Sequence, residues 1–292
     1  MIEAVQIPEH ALNAETQHGD DVSSDWRGRI LSIYQPKLAQ LPYFLFIPTK
    51  TRPDAKPLIS MHGWTRNAGE HAFRLAKFAE KHGTVLIAPL FSKTAHRHYQ
   101  RLEVRKGEAC PAVQFDRLLH DVALKFQVDT DSVNLFGFSG GAQFAHRYAL
   151  MRPGRINRMV LMAAGWYTFP DREKRYPFGI AASKVLGDRD LYLDKALNIP
   201  TCVVVGGRDV NRDSSLRTGP GIDKMQGFTR VERAERWIKA MRDTATTVNI
   251  KPEFAFKIID RANHDFGECI QHHELGDIIF DWINRNTEGA DI

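Results

Sequence analysis

The sequence predicts an α/β fold in which a mostly parallel sheet is covered by helices on both faces. Two observations predict it. Short apolar runs rich in β-branched residues recur along the chain, and helical patterns separate most of the later runs. Strands that alternate with helices favour parallel pairing, because the crossover helices pack onto the sheet faces. The chain has 292 residues, 43% of them hydrophobic, which is enough for one large domain with a sizeable core.

Eight candidate strands follow one another, beginning with a hairpin-like pair. They are Gly28–Tyr34, Tyr43–Pro48, Leu58–His62, Val85–Pro89, Ser132–Phe138, Met159–Ala164, Thr201–Gly206 and Glu253–Ile259. Five segments carry apolar residues three and four positions apart, which predicts helices. They are Ala68–His82, Val113–Gln127, Gly141–Met151, Val231–Asp243 and Leu275–Asn284. In the fourth of these helices, Arg233 lies off the predicted apolar stripe.

The chain is predicted to be a single domain, residues 26–292, preceded by a tail. Residues 1–25 are polar and aperiodic, which is typical of such a tail. The segment Gly165–Asn198, between the sixth and seventh predicted strands, is aromatic and charged and interrupts the alternation of strand and helix patterns. It is expected to form a small, cap-like excursion. The N-terminus lacks a secretory pattern, and no run reaches the ~18 apolar residues of a membrane span. We therefore expect a cytoplasmic protein.

Charge and cysteine content exclude several function classes. The net charge is +5, but the 40 basic and 35 acidic residues are spread along the chain, so we expect no nucleic-acid partner. Cys110, Cys202 and Cys269 have no CxxC spacing, and the clusters His96–His98 and His272–Glu274 lack metal-ligand spacing. We expect no disulfide framework, no metal and no other cofactor. Cys202 lies in an apolar run and is interpreted as a core residue.

The strongest local motif is Gly137-Phe138-Ser139-Gly140-Gly141, which matches G-x-S-x-G. It follows an apolar strand and opens a helical pattern, which is the setting of a nucleophile elbow. At an elbow the residues two before and two after the serine must be small, and both are glycine here. The motif therefore predicts Ser139 as a nucleophile.

A serine nucleophile needs a general base and a carboxylate that orients it. His264 lies in a loop just beyond the last predicted strand and is the predicted base. His62, at the end of an early strand, is expected to serve as scaffold, and His146 to pack or face solvent. Asp209 follows the seventh strand after a Gly-Gly turn and is the predicted acid; Asp213 is the alternative. Either aspartate could instead be a turn carboxylate paired with Arg208 or Arg212.

An acyl-transfer site also needs backbone N–H groups that face the developing oxyanion. Gly140, directly after the serine, supplies one of them. The second is expected in the loop after the third strand, where we favour Trp64 over Gly63.

The predicted oxyanion loop follows the third strand, the serine the fifth, the acid the seventh and the histidine the eighth. In this order of functional residues, the sequence resembles the α/β-hydrolase superfamily across residues 28–286. Within it, the closest likeness is to the polyhydroxybutyrate-depolymerase and feruloyl-esterase-like group. It is carried by the segments 43–48 and 57–63 and by Val128–Asp131 leading into Gly137–Gly141. The resemblance implies an α/β-hydrolase fold and hydrolysis of an ester through an acyl-enzyme. Because the chain lacks the leader and the cysteine pairs of secreted members, we expect a small ester substrate rather than a polymer.

Two other functions stay open at this stage: a peptidase or acyltransferase with the same residues, and a non-catalytic binding protein on the same fold. Trp64, Trp166, Tyr167 and Phe169 are expected either to line the substrate pocket or to pack beneath the excursion. Arg66, Arg212 and Arg217 could bind a carboxylate or a phosphate, or could be solvated surface residues. Trp166, Tyr167 and Arg66 are the candidate substrate-binding residues.

Overall fold

A computed structural model describes residues 4–6, 26–34, 41–103, 109–187 and 189–285. Its centre is a nine-stranded sheet in the order β1-β2-β3-β5-β4-β6-β7-β8-β9. The strands are β1 (Ala4–Gln6), β2 (Ile30–Ile33), β3 (Tyr43–Phe46), β4 (Leu58–Met61), β5 (Leu86–Pro89), β6 (Val133–Phe138), β7 (Ile156–Met162), β8 (Thr201–Gly206) and β9 (Phe254–Ile259).

Strand direction divides the sheet into two parts. β3 pairs antiparallel with both β2 and β5, whereas β4 to β9 all pair in parallel. The carboxyl ends of the parallel strands therefore meet at one edge, where sites in α/β sheets form. The polar loops that follow β4, β6, β8 and β9 all begin at this edge.

Helices cover both faces of the sheet. They are α1 (Ala68–His82), α2 (Pro111–Phe126), α3 (Gly140–Met151), α4 (Leu193–Ala196), α5 (Pro220–Gln226), α6 (Arg230–Thr247), α7 (Phe266–His272) and α8 (Leu275–Ile283). The apolar residues of α2, α3 and α6 join one core, and those of α1, α7 and α8 join the other. Successive strand residues alternate between the two cores, as Val203 and Val204 do, so buried strands have continuous apolar runs.

The predicted mostly parallel sheet is confirmed, with all eight predicted strands present and one short strand added at its edge. That strand, β1, lies in the segment predicted as a tail and pairs in parallel with β2; the rest of the tail lies outside the described residues. The five predicted helices are present, with ends shifted by up to four residues. Arg233 of α6, predicted to lie off the apolar stripe, is fully buried because it bonds to three loop carbonyls and to Asp223.

The excursion between β7 and β8 is held to the helices by its first residues. The backbone N–H of Thr168 donates to Nε2 of His146 on α3 at 3.0 Å, and its carbonyl accepts from Trp237 on α6 at 2.8 Å. The Gln226 side chain exchanges two 2.8 Å bonds with the Tyr167 backbone. These bonds fix the start of the excursion above the carboxyl edge of the sheet.

Candidate active site

Ser139 lies at the turn between β6 and α3, in a strained backbone conformation with φ of +52° and ψ of −111°. A Cβ atom at Gly137 would lie 2.4 Å from the carbonyl carbon of Gly141, and one at Gly141 would lie 2.0 Å from the carbonyl oxygen of Met61. Both positions therefore require glycine. The Ser139 N–H donates to the Met162 carbonyl at 2.8 Å, which anchors the turn to β7. The predicted elbow geometry is present.

The structure brings Ser139, His264 and Asp209 into one hydrogen-bonded chain. His264 Nε2 lies 3.0 Å from Ser139 Oγ, and His264 Nδ1 lies 2.6 Å from Asp209 Oδ2. The His264 ring stacks on Phe138 with the centroids 4.9 Å apart. The His264 side chain is partly accessible to solvent, whereas Ser139 is largely buried and Asp209 is almost completely buried. This is the arrangement of a nucleophile, a base and an orienting acid.

The carboxylate of Asp209 determines the tautomer of His264. An ionised carboxylate only accepts hydrogen bonds, so His264 Nδ1 must carry the proton. In the neutral ring, Nε2 then has a free lone pair, which accepts the Ser139 hydroxyl proton. The chain of bonds is therefore polarised in the direction that makes Ser139 Oγ more nucleophilic.

Asp209 has a second buried partner that the sequence did not predict. Its Oδ1 accepts from Arg230 Nη1 at 2.8 Å, and both side chains are almost completely buried. Arg230 Nη2 also donates to Ser215 Oγ at 2.5 Å. The alternative acid, Asp213, is half-exposed, accepts from Ser215 and lies 3.6 Å from Arg230. The hydrogen bond from Ser215 lowers the pKa of Asp213, which has no contact with His264 like that of Asp209.

The predicted turn pairings with Arg208 and Arg212 are not formed by either aspartate. Arg212 instead binds Asp223 on α5 at 2.8 Å and is not among the residues that line the cavity at Ser139. Arg230 could have been found from its spacing, because it continues the apolar stripe of α6 four residues before Ala234 and seven before Trp237. A charged residue at such a position implies a buried partner.

The backbones of Gly140 and Trp64, the two residues predicted to supply the oxyanion donors, lie close together. A Cβ atom on Gly140 would be 3.5 Å from the backbone nitrogen of Trp64. Gly140 is the first residue of α3, so its N–H has no acceptor within the helix. The positive end of the α3 dipole adds to the field at this point. The two predicted donors are thus adjacent, and the Trp64 side chain extends into solvent.

The loop that carries Trp64 is held by buried side chains beneath it. His62 Nε2 accepts from the Phe91 N–H at 3.0 Å, and its Nδ1 donates to the Gly63 carbonyl at 2.8 Å. The Tyr99 hydroxyl donates to the His62 carbonyl at 2.5 Å. Burial lowers the pKa of His62 to about 4, which keeps the ring neutral. His62 thus has the scaffolding position that its place after a strand suggested.

A cavity of about 440 Å³ opens beside Ser139. Of the predicted substrate residues, Trp166 lines it; Trp64 also contributes to its wall. Tyr167 and Arg66 do not line this cavity, so their prediction as substrate-binding residues is corrected. Tyr167 is fully buried and stacks on Trp237 at 4.8 Å, because the excursion turns inward there. Arg66 donates to the His96 carbonyl and lies over the Tyr99 and Trp64 rings, and it is not among the residues that line the cavity.

The cavity contains residues that the sequence patterns had not singled out together. Besides Ser139, Gly140 and the two tryptophans, it is lined by Gln100, Arg101, Gln143, Ser214, Ser215 and Arg217. Phe169 packs against the core instead. Arg101 and Gln143 carry no motif, and only the fold brings them to the serine.

His146 and the three cysteines are buried in the described part of the chain. His146 is buried between α3 and Thr168, and burial holds its pKa well below the ordinary range. Cys110, Cys202 and Cys269 are buried free thiols. Over the described ranges, no group of three or more potential ligand side chains is arranged to hold a metal ion. Within the same ranges, no helix has the length and apolar character needed to cross a bilayer.

Solved structures with similar architecture come from hydrolases. A poly(3-hydroxybutyrate) depolymerase from Bordetella parapertussis is 23% identical, with a TM-score of 0.70 over 82% of this chain and 84% of its own. Poly(aspartic acid) hydrolase-1 from Sphingomonas sp. KT-1 is 22% identical, with a TM-score of 0.72 over 86% and 98%. An S-formylglutathione hydrolase from Agrobacterium tumefaciens is 14% identical, with a TM-score of 0.53 over 87% and 94%.

These similarities establish that the chain has the α/β-hydrolase fold. No family model matches the sequence, and no curated protein matches it significantly. At such low identity the structural neighbours support the fold, and the chemistry must be argued from the site.

Proposed function

We propose that this protein, which has the α/β-hydrolase fold, is a serine hydrolase that cleaves small carboxylic esters through an acyl-enzyme. The observation that carries the proposal is the chain Ser139 Oγ–His264–Asp209, with contacts of 3.0 and 2.6 Å. Its serine has the strained backbone of an elbow and faces an open cavity. A serine, histidine and aspartate that only stabilised the fold would need neither the strained backbone at Ser139 nor the cavity beside it.

In the first half of the reaction, Ser139 Oγ attacks the ester carbonyl carbon as its proton passes to His264 Nε2. The imidazolium that forms is stabilised by the Asp209 carboxylate, which accepts a hydrogen bond from the Nδ1–H group and stays ionised. The carbonyl oxygen becomes negatively charged and accepts hydrogen bonds from the N–H groups of Gly140 and Trp64. The tetrahedral intermediate then collapses, and the alcohol leaves with the proton from His264 Nε2.

In the second half, a water molecule takes the place of the alcohol. His264 Nε2 removes one of its protons as the water oxygen attacks the acyl carbon. The same two N–H groups stabilise the second oxyanion. Collapse of this intermediate returns the proton to Ser139 Oγ and releases the acid, so the enzyme is regenerated without any further reactant.

The names of the similar structures support a hydrolase. Those with TM-scores of 0.70 and 0.72 are named as a depolymerase and a hydrolase, and both act on polymers according to their names. For this chain we propose a small ester, because the cavity at Ser139 has a volume of about 440 Å³, which is in the range of small-molecule sites.

The proposal is tested with a fluorophosphonate probe and mass spectrometry of the adduct. We expect one labelled residue, Ser139, and no labelling in Ser139→Ala. Hydrolysis of a simple aryl ester should fall to near background in the same variant, because the residues of a triad act as a unit. Labelling that survives Ser139→Ala would disprove the assignment.

A matched control exists in the same chain. Ser60 Oγ lies 2.8 Å from Nδ1 of His71, but this pair is fully buried and the ring is stacked on Phe266. Proximity of a serine to a histidine is therefore not sufficient for reaction. Ser60→Ala should remain labelled at Ser139, since no probe reaches Ser60.

A further inference from the structure

Three arginines surround one indole ring in the wall of the proposed active site. The guanidinium carbons of Arg147, Arg217 and Arg101 lie 4.1, 5.4 and 5.9 Å from the Trp166 ring centroid. Two of them, Arg101 and Arg217, line the same cavity as Ser139. Three like charges around one ring repel one another, so such an arrangement is costly without an anion nearby.

The acidic groups described around this cluster do not balance it. Arg101 binds Glu103 at 3.1 Å, which accounts for one of the three charges. Arg147 is fully buried and bonds to neutral oxygens: the Thr168 hydroxyl and the carbonyls of Gln100 and Gln143. Its Nη2 has no hydrogen-bond partner among the described residues. Burial and the charge of Arg101 both lower the pKa of Arg217.

The positive lining continues away from the serine. A second cavity of about 550 Å³ shares Arg217 with the first and is also lined by Lys174 and Arg175. Of the described residues that line either cavity, none is acidic. The helix dipole of α3 adds positive potential at Ser139 itself. An anionic ligand would be attracted along this surface toward the nucleophile.

From this geometry we infer that the substrate carries a carboxylate, which Arg217 and Arg101 bind beside Trp166 while the ester carbonyl lies at Ser139. The inference rests on the proposed function and specifies its substrate class. Arginine suits this role because its planar fork matches a carboxylate, and Trp166 holds the guanidinium groups in place by stacking. Arg147 lies behind the ring, where it adds charge and fixes the wall.

The carboxylate can belong to the acyl part or to the alcohol part of the ester, and two substrate pairs distinguish these cases. The first pair is 4-nitrophenyl hydrogen glutarate and the uncharged 4-nitrophenyl pentanoate. The second pair is 4-carboxyphenyl butanoate and the uncharged 4-carbamoylphenyl butanoate. The measured quantity is the ratio of kcat/KM for the charged and uncharged member of each pair.

We expect the charged ester to be preferred by about tenfold or more in one of the pairs, the size typical of a charge-assisted hydrogen bond. In Arg217→Gln this ratio should fall toward one, and in Arg217→Lys it should be intermediate because the charge is kept without the fork. Arg172→Gln is the matched control. Arg172 is an exposed arginine of the excursion that carries Trp166, it is bound to Asp194, and its loss should leave the ratio unchanged.

Arg217 is largely exposed, so its variants are expected to fold, and circular dichroism checks this. A ratio near one in both pairs for the wild-type protein, or a preference that Arg217→Gln does not alter, would overturn the inference and leave the proposed function standing. If none of the four esters is hydrolysed and the fluorophosphonate does not label Ser139, the proposed function fails and the inference falls with it.

Discussion

Replacing Asp209 with asparagine should abolish catalysis for a reason specific to this site. Arg230 only donates hydrogen bonds, and its Nη1 lies 2.8 Å from Asp209 Oδ1. In Asp209→Asn the amide oxygen must therefore face Arg230, which leaves the amide NH₂ group facing His264 Nδ1. That nitrogen must then accept, so the ring proton moves to Nε2 and points at Ser139. The base is lost although the side chain keeps the same shape and number of heavy atoms.

The expected loss of kcat is about four orders of magnitude, the size found when the equivalent change was made in a serine protease. The fold should survive, because the amide oxygen still accepts from Arg230 and the side chain keeps its shape. Loss of the charge in a buried pair should lower the free energy of unfolding by about 2 kcal/mol, within the range for hydrogen bonds to charged groups.

The assay is hydrolysis of an aryl ester under single-turnover conditions, together with the rate of fluorophosphonate labelling. Asp213→Asn is the matched control: its side chain is half-exposed and hydrogen-bonds to Ser215, so the rate should change by less than about threefold. An inactive Asp213→Asn beside an active Asp209→Asn would refute the reasoning and make Asp213 the acid. If both variants stay active, the partner of His264 lies elsewhere in the chain.

Three further predictions concern the scaffold and the substrate. Gly141→Ala should abolish folding or lower the free energy of unfolding in urea by more than about 4 kcal/mol, because its Cβ would lie 2.0 Å from the Met61 carbonyl oxygen. Gly154→Ala is the control, because a Cβ at this position meets open space and the change should be neutral. A stable Gly141→Ala protein would be inconsistent with the elbow. The pKa of His62 is about 4 in the folded chain and near 6.5 in the unfolded chain, so the unfolded chain takes up the proton first as the pH falls. Acidification from pH 6.5 to 4 should therefore lower the free energy of unfolding by about 3 kcal/mol through His62 alone. Urea titrations at pH 6.5 and 4 measure this, and His62→Gln should make the dependence shallower by this amount, while buried His71 and His146, whose pKa values burial also lowers, keep the remainder; an equally steep loss in that variant would exclude His62 as a source. Finally, kcat/KM for uncharged esters should fall as the acyl chain grows beyond short lengths, since the cavity is small and partly polar; a steady rise toward the longest chains would contradict this.

The sequence predicted the parts of the site that depend on the backbone. The Gly137–Gly141 motif implies its own turn, because only glycine fits where strand and helix approach each other. Asp209 and His264 lie in the loops after β8 and β9, and the ends of these neighbouring parallel strands must lie close together. For these residues, position along the chain limits position in space, so the pattern placed them at one edge of the sheet, although it left Asp213 open as the alternative acid.

The walls of the cavity could not be predicted in the same way. Tyr167 and Trp166 are adjacent aromatic residues in one loop, yet the first is stacked beneath the excursion and the second faces the serine. Their orientation depends on hydrogen bonds from Gln226 and Trp237, which are about 60 to 70 residues away in the sequence. Contacts between residues so far apart produce no periodic pattern in the sequence. The loop sequence alone was therefore compatible with both roles, lining the cavity and packing beneath the excursion.

Buried arginines were the main feature missed, and they explain how the acid and the proposed anion subsite are linked. Arg230 and Arg233 lie one turn apart at the start of α6, where the helix dipole disfavours positive charge. The ion pairs with Asp209 and Asp223 offset that cost. Arg230 thereby fixes the acid that orients His264. Arg233 donates to the carbonyls of Gly165 and Arg217 at 2.6 and 2.8 Å, which places the residues beside Trp166 and Arg217 itself. One helix turn therefore holds both the proposed catalytic base in its orientation and the cationic wall in its place, so we expect a displacement of this turn to alter rate and substrate preference together.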